Sequence, residues 1–271
     1  MSASAGLNGS PDKRSKVNIL GLELDRLNMT EVMSKIDRFV QEEEPRQVVT
    51  VNLQFMSLAR KNEAFQAIVN RADMVVADGM PLVWVSKMKG APIASRVTGH
   101  DILQECAELA SNKGYSIFLL GGAPGRAQES AQSLNERYPG LRVYGTHHGT
   151  FSDMGVAERQ DELTRQIRDF DPDILLVGLG CPKQEYWIHN YMDEIGVPVC
   201  VGVGGVFDVF TGRLNRAPNW MQRFGIEWIY RLKQEPGRLW KRYFLDDLPT
   251  TLLATGEAVL QRISFRKQTV R

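Results

Sequence analysis

The chain has 271 residues, 43% of them hydrophobic, enough to bury one large core or two small ones without disulfide or metal staples. Its 33 Lys and Arg nearly balance 32 Asp and Glu, so global charge gives no reason to expect nucleic acid, and any basic surface must be local. Three scattered cysteines, Cys106, Cys181 and Cys200, form no C-x-x-C pair and accompany no secretory signal, which fits a reduced cytosolic protein.

In chain order, the Ser-, Gly- and Ala-rich segment 1–16 is predicted to be a disordered tail, since it lacks an apolar signal region. A strand is predicted near Val17 to Leu24, followed by a helix capped by Thr30 and running through Glu43. Apolar runs then alternate with helical periods. Strands are predicted at Gln47 to Val51, Met74 to Ala77, Ser116 to Leu120, Arg142 to Gly145, Ile174 to Val177 and Val199 to Val203. Helices fall near Leu53 to Ala72, Pro81 to Met88, Asp101 to Asn112, Arg126 to Tyr138, Val156 to Phe170 and Lys183 to Ile195. Gly114 and Gly196 stand where left-handed helix caps favour glycine. The pattern predicts an α/β domain over 17–215, with a mainly parallel, Rossmann-like sheet covered by helices.

In such sheets ligands bind beyond the carboxyl ends of the strands. Thr50, Asn52, Asp78, Gly121, Gly122, Gly178, Gly180, Gly204 and Asp208 all close or follow strands and are therefore expected at one edge. The loop Gly121 to Gly125 leads into a helix, whose free N–H groups could hold a diphosphate; a tight turn explains the same glycines equally well. Asp78 directly follows a buried strand, where partial burial would raise its pKa and suit it to accept a proton from an attacking hydroxyl. By sequence alone it serves equally well as a cap for the helix at Pro81.

No metal site is predicted. Asp171-Pro172-Asp173 precedes its strand and so belongs at the opposite edge, as a turn, and His147-His148 lacks partners at ligand spacing. Cys181 is expected to be an inert semi-buried thiol, and Glu185 an ordinary helix-start acid. Neither Gly121 to Gly125 nor the later glycine pairs complete G-x-G-x-x-G, which weakens a nucleotide-linked oxidoreductase as an alternative.

Residues 216–271 are predicted to be a helical, basic appendage. From Arg216 to Arg242 seven basic residues stand against two acidic, interleaved with Trp220, Trp228 and Trp240. If Pro236-Gly237 only kinks one helix, Arg231, Arg238 and Arg242 share a face. Such a segment suits an anionic membrane surface, with Trp220, Phe224 and Trp228 available to pack it on the sheet. No apolar run is long enough to span a bilayer, so attachment is expected to be peripheral. An inert, non-catalytic docking protein remains a second alternative. Leu252, Leu253, Val259, Leu260, Ile263 and Phe265 could extend the membrane surface or mediate homo-oligomer contacts.

The stretches VVTVNLQFM, DMVVADGMP, SRVTGHD, DPDILLVGLGCPKQEYWIHN, VPVCVGVGGVFDVFTGRLNRAPNW and IEWIYRLKQEPGRLWKRYF resemble, in the same order, the WecG/TagA/CpsF glycosyltransferases (glycosyltransferase family 26), over about Val17 to Phe244. The resemblance implies an inverting transfer, without cofactor, from a UDP-sugar donor to a polyprenyl-diphosphate-linked acceptor at the cytoplasmic membrane face, in cell-surface polysaccharide synthesis. It places the general base on Asp78, the sugar pocket on Thr50 and Asn52, a diphosphate contact on Arg96 and a substrate contact on Gln184. Nucleotide recognition falls on Gly202 to Asp208, including Gly204 and Asp208, and acceptor contacts on Arg231, Arg238 and Arg242. With no metal expected, Gly121, Gly122, Gly125 and Arg96 would stabilise the departing diphosphate. Neither the donor sugar nor the acceptor saccharide is legible.

Overall fold

In a computed structural model, which describes residues 15–149, 157–213 and 215–269, the expected first strand is two: β1 (Lys16–Ile19) and β2 (Leu22–Asp25) pair antiparallel. Leu20 and Gly21 turn the chain with φ of 49° and 87°, a conformation that is inexpensive for glycine at the second position. The apolar alternation moves from odd positions at Val17 and Ile19 to even ones at Leu22 and Leu24, a change of phase that marks the turn between two strands. Residues 1–14 of the expected disordered tail lie outside the described residues.

Next come α1 (Met29–Glu42), β3 (Arg46–Val51), α2 (Leu53–Ala59), α3 (Glu63–Arg71), β4 (Met74–Ala77), α4 (Met80–Met88) and α5 (Gly99–Lys113). Asn28, rather than Thr30, caps α1, exchanging hydrogen bonds with Glu31 in a capping box. The single helix expected over 53–72 is broken because Asn62 caps a new one, accepting from the Phe65 N–H. The chain continues through β5 (Ser116–Gly121), α6 (Arg126–Arg137), β6 (Arg142–His147), α7 (Ala157–Phe170), β7 (Ile174–Gly178), α8 (Lys183–Ile195) and β8 (Val199–Gly202). Gly114 and Gly196 are the left-handed caps expected of them.

Strands β3 to β8 form one six-stranded sheet in the order β4-β3-β8-β7-β5-β6, parallel throughout. Buried side chains cover both faces, with Val48, Val76, Leu119 and Val201 packed under α1 and α5 and Phe118, Leu175 and Val177 under α7 and α8. This two-sided burial explains the near-continuous apolar strands. At the amino-terminal edge two aspartates stitch neighbouring strands. Asp73 accepts from the Gln47 N–H at 2.9 Å, and Asp173 accepts from both the N–H and hydroxyl of Ser116 at 2.7 and 2.8 Å. The D-x-D look at 171–173 is therefore a sheet anchor at the edge opposite the strand ends carrying Asp78.

Beyond β8 follow α9 (Phe207–Phe210), α10 (Asn219–Arg223), α11 (Glu227–Gln234) and α12 (Pro236–Lys241). A π-helical turn over Arg242–Asp247 then leads into α13 (Leu248–Thr269). Pro236 opens a separate helix instead of kinking a continuous one, because proline suits the first helical turn and Glu235 lies outside helical φ and ψ. The expected single arginine face is thus divided between elements. Helix α13 returns to the body, where nearly buried Lys89 at the end of α4 meets Glu257 at 2.9 Å, and Ala254 and Ala258 pack into the core beside β1 and β2. Trp220, Phe224 and Trp228, expected to pack the appendage on the sheet, are instead exposed.

Replacing Asp173 by Ala should cost about 1–3 kcal/mol by orphaning the Ser116 N–H. Chemical denaturation should show that loss with KM for substrates unchanged, since the contact lies at the far edge of the sheet.

Candidate active site

Strands β3, β4, β7 and β8 end side by side, and their following residues frame two adjoining cavities. The first, about 310 Å³, is walled by Asn52, Asp78 to Pro81 and Arg96, and roofed by appendage residues including Trp228, Tyr243, Phe244 and Leu248. The second, about 230 Å³, is more polar, with Thr50, Asn52, Thr98, His100, Gln184, Gly204, Arg216 and Gln234 in its wall. Asn52, Asp78, Glu227, Arg231 and Arg242 line both. Asp78 therefore sits where the two spaces meet.

Its position follows from β4, whose fully buried residues Met74 to Ala77 deliver the next residue to the sheet edge, while its N–H donates to Val51 O at 2.7 Å. The capping alternative is not realised: the cap position of α4 is Gly79, and no side-chain hydrogen bond closes that helix. Burial pushes the Asp78 carboxyl up to about 6, restrained by the positive charges of Arg231 and Arg96. A carboxylate in that range is ionised at neutral pH yet basic enough to take a proton from a hydroxyl.

Arg96 and Arg231 are held by one acid. Glu227, at the start of α11, accepts from Arg96 at 2.8 Å and from Arg231 Nε at 3.0 Å. Burial opposes its ionisation, but the two guanidinium groups hold its carboxyl below the usual range. Arg96 also faces Gln222 at 3.4 Å. Arg216 forms a close ion pair with Asp101, and Arg242 lies 3.4 Å from Asp247, whose carboxyl burial lifts to about 6. Arg231 and Arg242 thus turn toward the cavities from α11 and the π-helical turn. The side chain of Arg238 lies outside the described residues.

Several residues of the polar cavity also hold local structure. Thr50 is buried and donates its hydroxyl to Gly202 O at 2.9 Å, while Asn52 caps α2 through the Gln54 N–H. Gln184 is only 2% exposed, and Glu185, expected as a plain helix-start acid, is fully buried with its carboxyl pushed up to about 7 by desolvation. Burial, and then the Glu185 charge, also raise the Cys181 thiol, consistent with an inert cysteine. Gly121, Gly122, Gly125 and Asp208 line neither cavity. A Cβ at Gly121 would lie 2.5 Å from the Gly178 backbone, and Asp208 pairs with Arg126 at 3.0 Å near the start of α6. Gly121 thus permits close packing of the β5 and β7 ends, whereas a Cβ at Gly122 would meet the Arg126 side chain and Gly125 precedes α6 in a left-handed conformation.

His100 was missed. Its ring stacks on Phe210 with centroids 4.9 Å apart, Nδ1 is buried without a hydrogen-bond partner, and desolvation followed by Arg216 lowers its pKa to about 4. A lone histidine one residue into a helix carried no periodic signal. Among the described residues no group of three or more His, Cys, Asp or Glu could hold a metal ion.

Residues 17–266 match the family described as Glycosyl transferase WecG/TagA/CpsF. The chain belongs to that family. The WecG/TagA/CpsF assignment is supported by relatives named N-acetylglucosaminyldiphosphoundecaprenol N-acetyl-beta-D-mannosaminyltransferase. One, from Staphylococcus aureus (strain MW2), is 32% identical over 84% of this chain and 87% of its own length. Another, from Bacillus spizizenii, is 36% identical over 72% and 73%. The protein is a glycosyltransferase of the cell-envelope polysaccharide class, on an α/β fold in which no helix among the described residues is long and apolar enough to cross a membrane.

Because folding raises the Asp78 pKa, burial of its charge costs stability that is fully felt above about pH 6 and relieved below about pH 4. Asp78→Asn should therefore raise thermal stability at pH 7.5, by about 1–2 kcal/mol after allowing for solvent reach. The gain should shrink toward pH 4, as measured by calorimetry across that range.

Proposed function

We propose that the polar cavity receives a UDP-sugar and that the more apolar one receives the sugar-diphosphate end of a polyprenyl acceptor. Asp78 would stand between nucleophile and anomeric carbon. The observation carrying this assignment is the Asp78 carboxyl shared by two chemically different spaces, with Arg231 and Arg242 in the same shared wall, while the other shared carboxyl, Glu227, is taken up by Arg96 and Arg231. By analogy with the relatives' names, the sugar is N-acetylmannosamine and the acceptor N-acetylglucosaminyl-diphosphoundecaprenol.

The transfer is a single displacement. An acceptor hydroxyl oxygen attacks the anomeric carbon as the bond to the UDP oxygen breaks; the electron pair leaves with UDP, and the hydroxyl proton passes to Asp78. A β product from an α-linked donor inverts the centre, which requires one base and no covalent intermediate. Arg231 and Arg242 supply positive charge where phosphates would lie, and Arg216 contributes from the donor side. Arg96 is placed to hold Glu227, and through it the roof, rather than to reach a phosphate alone. Thr50 and Asn52 shape the sugar end through the backbone they hold.

Association with the membrane would come from the appendage. Its exposed Phe224, Trp240, Leu245 and Leu252 accompany exposed Lys233 and Lys241, a combination suited to the interface of an anionic bilayer at its cytoplasmic face. The same side would present the acceptor's diphosphate to the apolar cavity.

Transfer of radiolabelled sugar from UDP-N-acetylmannosamine to the lipid-diphosphate acceptor should be measurable with purified protein. Asp78→Asn should lower kcat by about 10²–10⁴-fold with little change in KM. The wild-type rate should fall as pH drops through about 6. Full activity of the variant, or loss of wild-type turnover in EDTA with restoration by Mg²⁺, would remove the mechanism.

Flotation with phosphatidylglycerol-containing liposomes should be strong for the whole protein. It should weaken for a Trp240→Ser, Leu245→Ser, Leu252→Ser triple variant that retains its melting temperature. Equal flotation would exclude this surface as the attachment site.

A further inference from the structure

Among the described residues, Glu185 is the fully buried acid beside the site that the transfer chemistry does not use. It lies in the first turn of α8 with 0% exposure, and Oε2 has no hydrogen-bond partner. Oε1 accepts from the Gln184 amide nitrogen at 2.6 Å. An acid so placed is costly to ionise, and nothing in the fold neutralises it with a cation at hydrogen-bond distance.

The amide of Gln184 explains the arrangement. Its oxygen accepts from the Gly180 N–H at 3.1 Å and from the Gly204 N–H at 3.0 Å. These glycines follow β7 and β8, adopt φ of 78° and 68°, and line the polar cavity. One oxygen therefore ties together the loops beyond two adjacent strands. It can do so only if the amide points its oxygen, not its NH2, toward the glycines. A flipped amide would set two donors against two donors. The Glu185 carboxyl oxygen, receiving the NH2, enforces the correct orientation.

Other residues fit the pair closely. A Cβ on Gly202 would lie 2.6 Å from Gln184 Nε2 and 3.0 Å from Glu185 Oε1. Thr50 holds the Gly202 carbonyl from the other side, and Gln47 donates to the backbone oxygen of Glu185 at 3.3 Å. Strands β3 and β8 are thereby built around the pair.

The geometry points to Glu185 as a positioning residue that acts through Gln184 to fix the Gly180 and Gly204 amides at the rim of the donor cavity. It touches no substrate; its neutral acid form suffices, because only an acceptor oxygen of the right shape is needed. This role in catalysis rests on the assignment of the polar cavity to the donor, whereas the clamp itself does not.

Two measurements separate those levels. In ligand-free protein, amide hydrogen exchange at Gly180 and Gly204 should quicken at least tenfold in Glu185→Ala, while Val48, Leu119 and Val201 in the strand core keep their protection. Glu185→Gln, which retains an acceptor oxygen, should keep both glycine amides protected, and Gly202→Ala should release them as Glu185→Ala does. Unchanged exchange at both glycines in a folded Glu185→Ala protein would overturn the clamp whatever the substrate.

In the transfer assay, Glu185→Ala should raise the donor KM at least tenfold and leave acceptor KM within threefold, with Glu185→Gln near wild type on both. Inactivity of a protected Glu185→Gln variant would overturn the neutral-positioning role in favour of a required charge. Failure of wild-type protein to use UDP-sugars, with the exchange pattern intact, would refute the donor assignment and the catalytic role built on it, while supporting the clamp.

Discussion

The Glu227 carboxylate, held between Arg96 and Arg231, is the contact on which the site depends. Arg96 belongs to the loop between α4 and α5, whereas Glu227 and Arg231 belong to α11, so the acid fastens the appendage over the strand ends. Without that closure Asp78 would face open solvent, since Trp228, Tyr243, Phe244 and Arg242 all reach the cavities from elements after β8. The triad is partly buried, where removing one partner leaves an uncompensated charge and costs far more than an exposed ion pair. It also sets the field at Asp78: desolvation and Glu227 push its pKa up while the two arginines pull it down.

The same economy of charge governs the rest of the site. Arg216 faces Asp101, Arg242 faces Asp247, and Arg126 faces Asp208, so the cationic groups near the strand ends are held in place by acids before any substrate arrives. Such pre-paired guanidinium groups lose little entropy on meeting a phosphate, which favours electrostatic preorganisation over induced ordering. Beside this charged region, Gln184 and Glu185 sit at the strand ends, where Gly202 leaves room that any side chain would take from the pair and Gly180 and Gly204 adopt positive φ.

Much of this was legible in the sequence because buried parallel strands leave a simple trace. Each apolar run of four to six residues marked a strand, and its closing residues marked the edge, where Thr50, Asn52, Asp78 and Gly204 line one cavity. The breaks were less legible. Asn62 and Pro236 divide what periodicity alone joins, because a cap or a proline competes with helix continuation only when the flanking segments have somewhere else to pack. The glycine loop at 121–125 stays ambiguous for a related reason: close packing of Gly121 against Gly178 and phosphate binding demand the same residue.

Chain order and residue type by themselves determined the parallel α/β sheet and the edge at which Asp78 stands, since these depend on local periodicity and on the position of one residue relative to its strand, and the order of the motifs marked the family. Tertiary structure alone decided that Arg96 is shared with Glu227, that Gln184 and Glu185 are buried beside the cavity, and that the appendage roofs the cavity with Trp228 while Trp220 and Trp240 stay exposed. Those outcomes turn on which distant groups share a low-dielectric space. Neither burial nor pairing between residues more than a hundred positions apart is written in the spacing of the chain.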